Sequence, residues 1–168
     1  PSWTTVDSGG IIQTKYYDTG NSFTYSSTNW GNLGGLSITI TPTSTANKLL
    51  LFCQFGSAQG SASGNNTTGL KFYNDTASAD VAVGNVNANR PRATSRVIGA
   101  GYANSNHAQP VTMLGFADIA NTNATTFKVQ AKNEGGTSYY GRAENYVNNG
   151  DIYNLTARTT FMIQEIKQ

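Results

Sequence analysis

The side chains that could perform acid–base or nucleophilic chemistry are few in this chain of 168 residues. Its single histidine, His107, lies in the polar segment Ala103–Ala108, without the Ser, Cys or Asp neighbours of a nucleophilic site. Glycoside hydrolysis needs two carboxylates that converge on one bond. The acidic residues instead stand singly, mostly beside turn residues, where Asp usually has a structural role. They include Asp7, Asp18, Asp75, Asp80, Asp118 and Asp151. We therefore predict a protein that is not an enzyme and has no catalytic residues.

Residues that would bind a metal or a cofactor are equally scarce. No cluster of His and Cys supplies ligands for zinc. Asp75 and Asp80 enclose two hydroxyl residues, which suits calcium by ligand type, but the spacing and glycine of a calcium loop are missing. A solvated turn is the favoured interpretation. Gly99–Gly101 is too short to cradle a phosphate. Cys53 lies in an apolar run and is predicted to be a small buried hydrophobe. We predict no metal and no cofactor.

The composition favours a protein that works within an assembly. Charged residues make up 12% of the chain, about half of the usual fraction, and Asn, Thr, Ser and Gly take their place. Such a surface suits docking, because few charges lose their hydration when neighbours come together. The net charge of +2 gives no global field that would attract nucleic acid or a membrane, so neither is a predicted partner.

Arginines and aromatic residues are the best candidates for contacts with partners. Arg90 and Arg92, with Arg96, form the one local cluster of charge, which suits an acidic group on a partner, a symmetry mate or a sugar acid. Solvated loop charges are the alternative interpretation. Tyr and Trp combine an apolar ring with a polar tip, which suits subunit interfaces and sugar platforms alike. The candidate aromatic contacts are Trp3, Tyr139, Tyr140, Tyr146 and Tyr153, and a flat outer face over Tyr139–Tyr153 is predicted to bury against a symmetry mate.

Alternation with period two predicts short strands rather than helices. Leu36, Ile38 and Ile40 alternate in this way, and a central strand is predicted to be buried over most of its length. Phe161 and Ile163, together with Glu165, share one face of the last predicted strand. The segment Gly56–Gly69 is predicted to be a long loop. The predicted strands are Ile11–Tyr17, Ser22–Ser26, Leu36–Thr41, Lys48–Phe55, Leu70–Tyr73, a weak strand at Val81 and Val83, Arg96–Tyr102, Val111–Asp118, Thr126–Lys132, Ser138–Gly141 and Thr159–Ile166.

About eight to ten short strands separated by turn signals are typical of a sandwich or jelly roll. No shift in composition and no internal repeat indicates a second domain. We predict an all-β fold, an antiparallel β-sandwich or jelly roll. Its single domain covers residues 11–168, preceded by a short N-terminal arm over residues 1–10.

The segment Leu36–Leu51 resembles the L-x-I-x-I-T-P-x-S-x-x-N-K-I-L-V segment of a family of small structural proteins of marine and cyanobacterial phages. Shorter similar pieces follow in the same order along the chain, whereas residues 56 to 110 depart freely. They are Ile11–Thr14, Leu114–Asp118, Thr125–Gln130 and Ile163–Ile166. The resemblance implies a trimeric jelly roll of the tumour-necrosis-factor type, found in capsid decorations and tail-fibre tips and not described as an enzyme.

Two functions follow from this resemblance as expectations. The first is a capsid decoration (cement) protein that binds the major capsid protein as a homotrimer on the particle surface, after assembly in the host cytoplasm. It is favoured because the first strand begins about ten residues from Pro1, without the stalk that precedes this domain in long fibre proteins. The alternative is a tail- or head-fibre module that binds a receptor or a host surface glycan, for which the Tyr-rich segments and variable middle loops are suited.

Overall fold

The computed structural model describes residues 9–60, 67–98, 108–142 and 156–168. All regular secondary structure in these ranges is β-strand, and none of the described segments forms a helix long and apolar enough to cross a membrane. β-Branched and aromatic residues, which fit a pleated sheet, are frequent in the strands. The strands are β1 (Ile11–Thr19), β2 (Phe23–Tyr25), β3 (Gly31–Ile40), β4 (Lys48–Gln59), β5 (Thr67–Asn74), β6 (Ala79–Val81), β7 (Ser95–Ile98), β8 (Gln109–Asp118), β9 (Thr125–Asn133), β10 (Ser138–Tyr140) and β11 (Thr159–Ile166).

The strands form two antiparallel sheets. In sheet A, β11 lies between β1 and residues 48–55 of β4, β10 pairs with the end of β4 on this same edge and also with β2, and β8 pairs with the other edge of β4. In sheet B, β9 lies between β3 and β5, and the other edge of β5 pairs with β7 and β6. The predicted fold class, an all-β antiparallel sandwich or jelly roll, is confirmed.

The core lies between the two sheets and is built from alternate residues of their strands. Phe72 of β5 and Phe161 of β11 stack across it, with ring centroids 5.9 Å apart and planes inclined by 19°. Cys53 is fully buried, and burial raises the pKa of its thiol, so the thiol behaves as the small hydrophobe that was predicted.

A buried carboxylate connects the sheets where residues 41–47 carry the chain from β3 in sheet B to β4 in sheet A. Glu165 of β11 is fully buried. Its carboxylate accepts hydrogen bonds from the backbone N–H of Thr43 at 2.9 Å and from the Thr43 hydroxyl at 2.7 Å. The side-chain amides of Asn47 and Gln13 donate to it at 2.7 Å and 2.6 Å. The crossover loop is thus bound to the two strands at the edge of sheet A.

These hydrogen bonds determine the protonation state of Glu165. Burial by itself raises the pKa of a carboxylic acid, because it disfavours the charged form. The hydrogen bonds from Asn47, Gln13 and Thr43 favour the charged form and outweigh burial, so that they hold the pKa of Glu165 to about 2. The buried side chain is therefore a carboxylate at neutral pH, and each of its donors is satisfied by it.

Several predicted strand boundaries are wrong. The predicted loop Gly56–Gly69 is in part strand, because β4 continues to Gln59 and β5 begins at Thr67. β3 begins at Gly31, five residues before the first predicted position, and its register with β9 shifts between Asn32 and Ser37. Gly34 and Gly35 both have positive φ in this irregular stretch, which disrupts the alternation that sequence reasoning relies on.

One glycine of β8 makes a close contact with the segment after β6. Gly115 faces the core, and a Cβ built on it would lie 2.2 Å from the Cβ of Ala82. Ala82 itself has a φ of 52°, a conformation that costs energy for a residue with a side chain. The contact therefore fixes the path of the chain as it leaves β6.

We expect Gly115→Ala to lower the free energy of unfolding by about 1–3 kcal/mol, because the added methyl group overpacks the contact with Ala82. Urea denaturation measures the effect. Gly10→Ala is the matched control, because nothing lies within 4 Å of a Cβ at that position. Equal stability of the two variants would contradict the predicted contact.

Acid should weaken the fold through Glu165. Its pKa is lowered from 4.5 in the unfolded chain to about 2 in the folded protein. The stabilisation is therefore complete above the unfolded value and is lost as the pH falls through the window from 4.5 to 2. It amounts to on the order of 3 kcal/mol at neutral pH.

The free energy of unfolding, measured by urea denaturation across this pH window, should fall steeply in the wild-type protein. In Glu165→Gln it should start lower and depend less on pH. Glu134→Gln, which changes an exposed carboxylate, should keep the wild-type slope. A Glu165→Gln profile parallel to the wild-type profile would show that this carboxylate is not responsible.

Candidate interaction surfaces

The outer face of sheet A carries a continuous row of apolar side chains. The cross-strand register places Tyr16 of β1 opposite Met162 of β11, Met162 opposite Phe52 of β4, and Phe52 opposite Leu114 of β8. Directly opposite residues of an antiparallel pair point to the same face of the sheet. The four side chains therefore cross the whole width of these four strands.

A second row widens this surface on two strands. Leu50 of β4 is opposite Phe116 of β8. This pair is two residues along each strand from Phe52 and Leu114, so it lies on the same face of the sheet. We call the six side chains of the two rows the apolar stripe. Tyr16 is 73% exposed, Leu114 57% and Phe116 58%, whereas the others are partly buried.

Ion pairs lie beyond both ends of the apolar stripe. On one side, Arg158 binds Asp18 and holds the pKa of its carboxyl group below the usual value. On the other side, Lys48 forms an ion pair with Asp118. These two residues are opposite each other, two residues along β4 and β8 from Leu50 and Phe116. An apolar centre with a polar rim is the usual anatomy of a protein–protein interface. A contiguous exposed apolar patch of this kind indicates an interaction site.

The second surface is a concave basic recess on the outer side of sheet B. It has a volume of about 470 Å³, and its lining includes Trp30, Arg90, Arg96, Lys132 and Glu134. We call it the basic recess. Its three cations and one carboxylate give it a net positive charge. Two of the predicted contact residues, Arg90 and Arg96, are thus brought together.

Sheet register positions the charged groups of the recess. Arg96 of β7 is opposite Gly69 of β5, and Gly69 is opposite Lys132 of β9. Neighbouring strands are about 4.8 Å apart, so the two cations start about 10 Å apart on one face. The glycine between them leaves room for the indole of Trp30, because a Cβ on Gly69 would lie 2.9 Å from that ring.

Trp30 is held from two sides. The Tyr25 hydroxyl donates to the backbone carbonyl of Asn29 at 2.6 Å, which fixes the loop just before Trp30. The ammonium group of Lys71 lies 4.5 Å from the Trp30 ring centroid, a cation–π distance, and Lys71 also pairs with Asp80. The indole is therefore a rigid wall of the recess.

Within the described residues, the side chains of Arg90, Arg96 and Lys132 form no ion pair. Arg90 lies on the loop between β6 and β7, which is fastened by hydrogen bonds from Gly84 N–H to the Ala93 carbonyl at 3.1 Å and from Arg90 N–H to the Asn87 carbonyl at 3.2 Å. The cations are thus placed by the backbone rather than by acidic partners. Their hydrogen-bonding capacity is available to a ligand.

The remaining predicted contact residues are not part of the recess. Arg92 is exposed and lines an adjoining depression of about 340 Å³, which shares Arg90 and Arg96 with the recess. Tyr139 is half-buried, and the guanidinium group of Arg142 lies 5.3 Å from its ring centroid. Trp3, Tyr146 and Tyr153 lie outside the described residues, as does His107.

The prediction that Tyr140 contacts a partner is wrong for its side chain. Tyr140 is fully buried inside the subunit, with its ring centroid 5.0 Å from that of Phe55. Burial also raises the pKa of its phenol. Period-two alternation explains the difference, because Tyr139 and Tyr140 must point to opposite faces of β10 and only one of them can face out.

The carboxylates considered for calcium bind lysines instead. Asp75 pairs with Lys128 at 2.8 Å, and Asp80 pairs with Lys71. Among the described residues, no group of three or more His, Cys, Asp or Glu side chains could hold a metal ion.

No protein-family model and no curated protein sequence matches the chain. The assignment of a function therefore depends on the two surfaces and on the sequence resemblance.

Sequence reasoning missed the apolar stripe and the role of Trp30. The signal for the stripe is present, because Leu50, Phe52 and Met162 occupy the polar phase of otherwise alternating strands. Apolar residues in both phases instead predict a central strand that is buried over most of its length. Trp30 lies outside any predicted strand, so no pattern connected it to the arginines.

If the apolar stripe is a self-association surface, Leu114→Lys combined with Phe116→Lys should weaken the oligomer by at least ~100-fold, because each buried side chain contributes about 1.5 kcal/mol or more. Analytical ultracentrifugation over a concentration series measures this. Thr112→Lys adds charge on the same face of β8 beyond the stripe and should leave the oligomer intact. A wild-type protein that stays monomeric at the highest soluble concentration would contradict this role.

Proposed function

We propose that this chain is a non-enzymatic structural protein of a bacteriophage particle, and that it decorates the capsid surface as a homotrimer. In this role the protein binds copies of itself and the major capsid protein. It stabilises the finished lattice by adding contacts between neighbouring capsid subunits.

The apolar stripe is the observation that carries this proposal. Tyr16, Leu114 and Phe116 are each more than half exposed on one face of sheet A. A monomeric soluble protein rarely exposes such a contiguous patch without using it. Burial of the patch against a symmetry mate removes this area from water, and the polar rim selects the orientation of docking.

The phage-like segment Leu36–Leu51 gives a second line of support. Its Thr43 and Asn47 hold the carboxylate of Glu165, and its apolar residues line the core. The residues that carry the resemblance thus have a structural task, to fasten the two sheets together. A role in maintaining a rigid scaffold is what a virion surface protein requires of them.

A tail- or head-fibre subunit that binds a host receptor is the competing proposal. The basic recess favours it, because a concave surface with an aromatic wall and several cations suits a ligand. The two roles are compatible, because a capsid decoration can also hold a particle to a surface.

Copy number per particle distinguishes the two proposals. For a decoration protein, quantitative mass spectrometry of purified virions should find on the order of hundreds of copies, in fixed proportion to the major capsid protein, as expected for a symmetric lattice. A few to a few dozen copies would assign the chain to a tail or fibre.

Particles stripped of the protein should also lose their contents at a lower temperature, and unchanged thermal stability would contradict a cementing role.

A further inference from the structure

We propose that the basic recess binds an acidic saccharide, such as a uronic-acid unit of a surface polysaccharide. Arg90 and Arg96 would bind its carboxylate, and Trp30 would pack against the face of a sugar ring. This inference goes beyond the proposed structural role and does not depend on it, because the residues that carry it all belong to one subunit.

The cations of the recess supply the first element of recognition. Arg90, Arg96 and Lys132 line one concave surface and form no ion pair within the described part of the chain. A guanidinium group presents a planar fork of donors that matches the two oxygens of a carboxylate. The like charges are held near one another by the backbone, so an anion between them relieves their repulsion.

Glu134 gives the recess its selectivity for a sugar. It lines the same surface as the cations, and its Oε2 accepts the backbone N–H of Thr67 at 3.2 Å. Its second oxygen has no donor among the described residues and is free to accept hydroxyl groups. A carboxylate at this position disfavours a densely charged phosphate ligand. It favours a ligand that carries one acidic group together with neutral hydroxyls.

Trp30 provides the apolar part of the site. Ligand pockets combine aromatic walls with a few polar groups that fix orientation, and their volumes are typically about 300–1,000 Å³. The basic recess, at about 470 Å³, accommodates roughly one or two sugar rings. The cation–π contact with Lys71 keeps the indole in place before the ligand arrives, so little conformational freedom is lost on binding.

The experiment is an isothermal titration of the purified chain with a galacturonate trisaccharide. The neutral galactose trisaccharide of the same linkage, inorganic phosphate and single-stranded DNA serve as comparison ligands. The acidic trisaccharide should bind at least ~10-fold more tightly than each of them. The neutral trisaccharide forms no charge-assisted hydrogen bond with the arginines, and the Glu134 carboxylate opposes the denser charge of phosphate and DNA.

Arg96→Gln should weaken this binding by at least ~10-fold. Arg92→Gln is the matched control, because it removes the same charge at an exposed position just before β7, and Arg92 lines the adjoining depression but not the recess. It should bind as the wild type does. Trp30→Phe should bind more weakly than the wild type at an unchanged melting temperature. If the melting temperature of Trp30→Phe is lower than that of the wild type, the binding of Arg96→Gln decides the test.

Three results would overturn the proposal. No heat of binding up to millimolar trisaccharide would exclude the site. Equal losses in Arg92→Gln and Arg96→Gln would indicate diffuse attraction to positive charge. Phosphate or DNA binding as tightly as the acidic trisaccharide would exclude the saccharide assignment. The titration contains no capsid, so each of these results leaves the copy-number test of the structural role unaffected.

Discussion

The buried carboxylate of Glu165 is the interaction on which the rest of the structure depends. A charge in the interior is tolerated only when hydrogen bonds replace its hydration, and Thr43, Asn47 and Gln13 do this. These donors belong to the crossover loop and to the edge strand, so a single side chain fixes the loop against β1 and β11. Replacement by an apolar residue would leave several buried donors without an acceptor, which is more costly than the loss of one exposed ion pair.

With the end of the sandwich fixed in this way, the outer faces of the two sheets are free to carry different chemistry. Sheet A presents the apolar stripe with ion pairs beyond its ends, which suits a large and permanent contact. Sheet B presents a concave recess with three cations and one aromatic wall, which suits a small polar ligand. The two proposed roles, assembly and recognition, would therefore use surfaces on opposite sides of the core of one subunit.

The amino-acid sequence predicted the parts of the fold that alternation determines. The strands from Val111 onward and the shared inward face of Phe161, Ile163 and Glu165 are examples, and the structure adds the reason why a glutamate can belong to that face. The start of β3 was missed because Gly34 and Gly35 interrupt its register. The sequence predicted the arginines of the recess, because Arg90 and Arg96 are close together along the chain. It did not predict Trp30, which is brought to them only by the pairing of strands. Such long-range pairings follow from sheet order, which no local pattern contains.

The position of β11 has a consequence for the timing of folding on the ribosome. This strand, which includes Glu165, lies between β1 and β4, so sheet A has a gap in its centre until residue 166 has been synthesised. At usual elongation rates β1 waits on the order of ten seconds for its only partner strand among the described residues. Until then the edge of β4 that pairs with β11 lacks this partner strand, and such an open edge can pair with another chain. A truncation that removes β11 would remove the centre of sheet A rather than its edge.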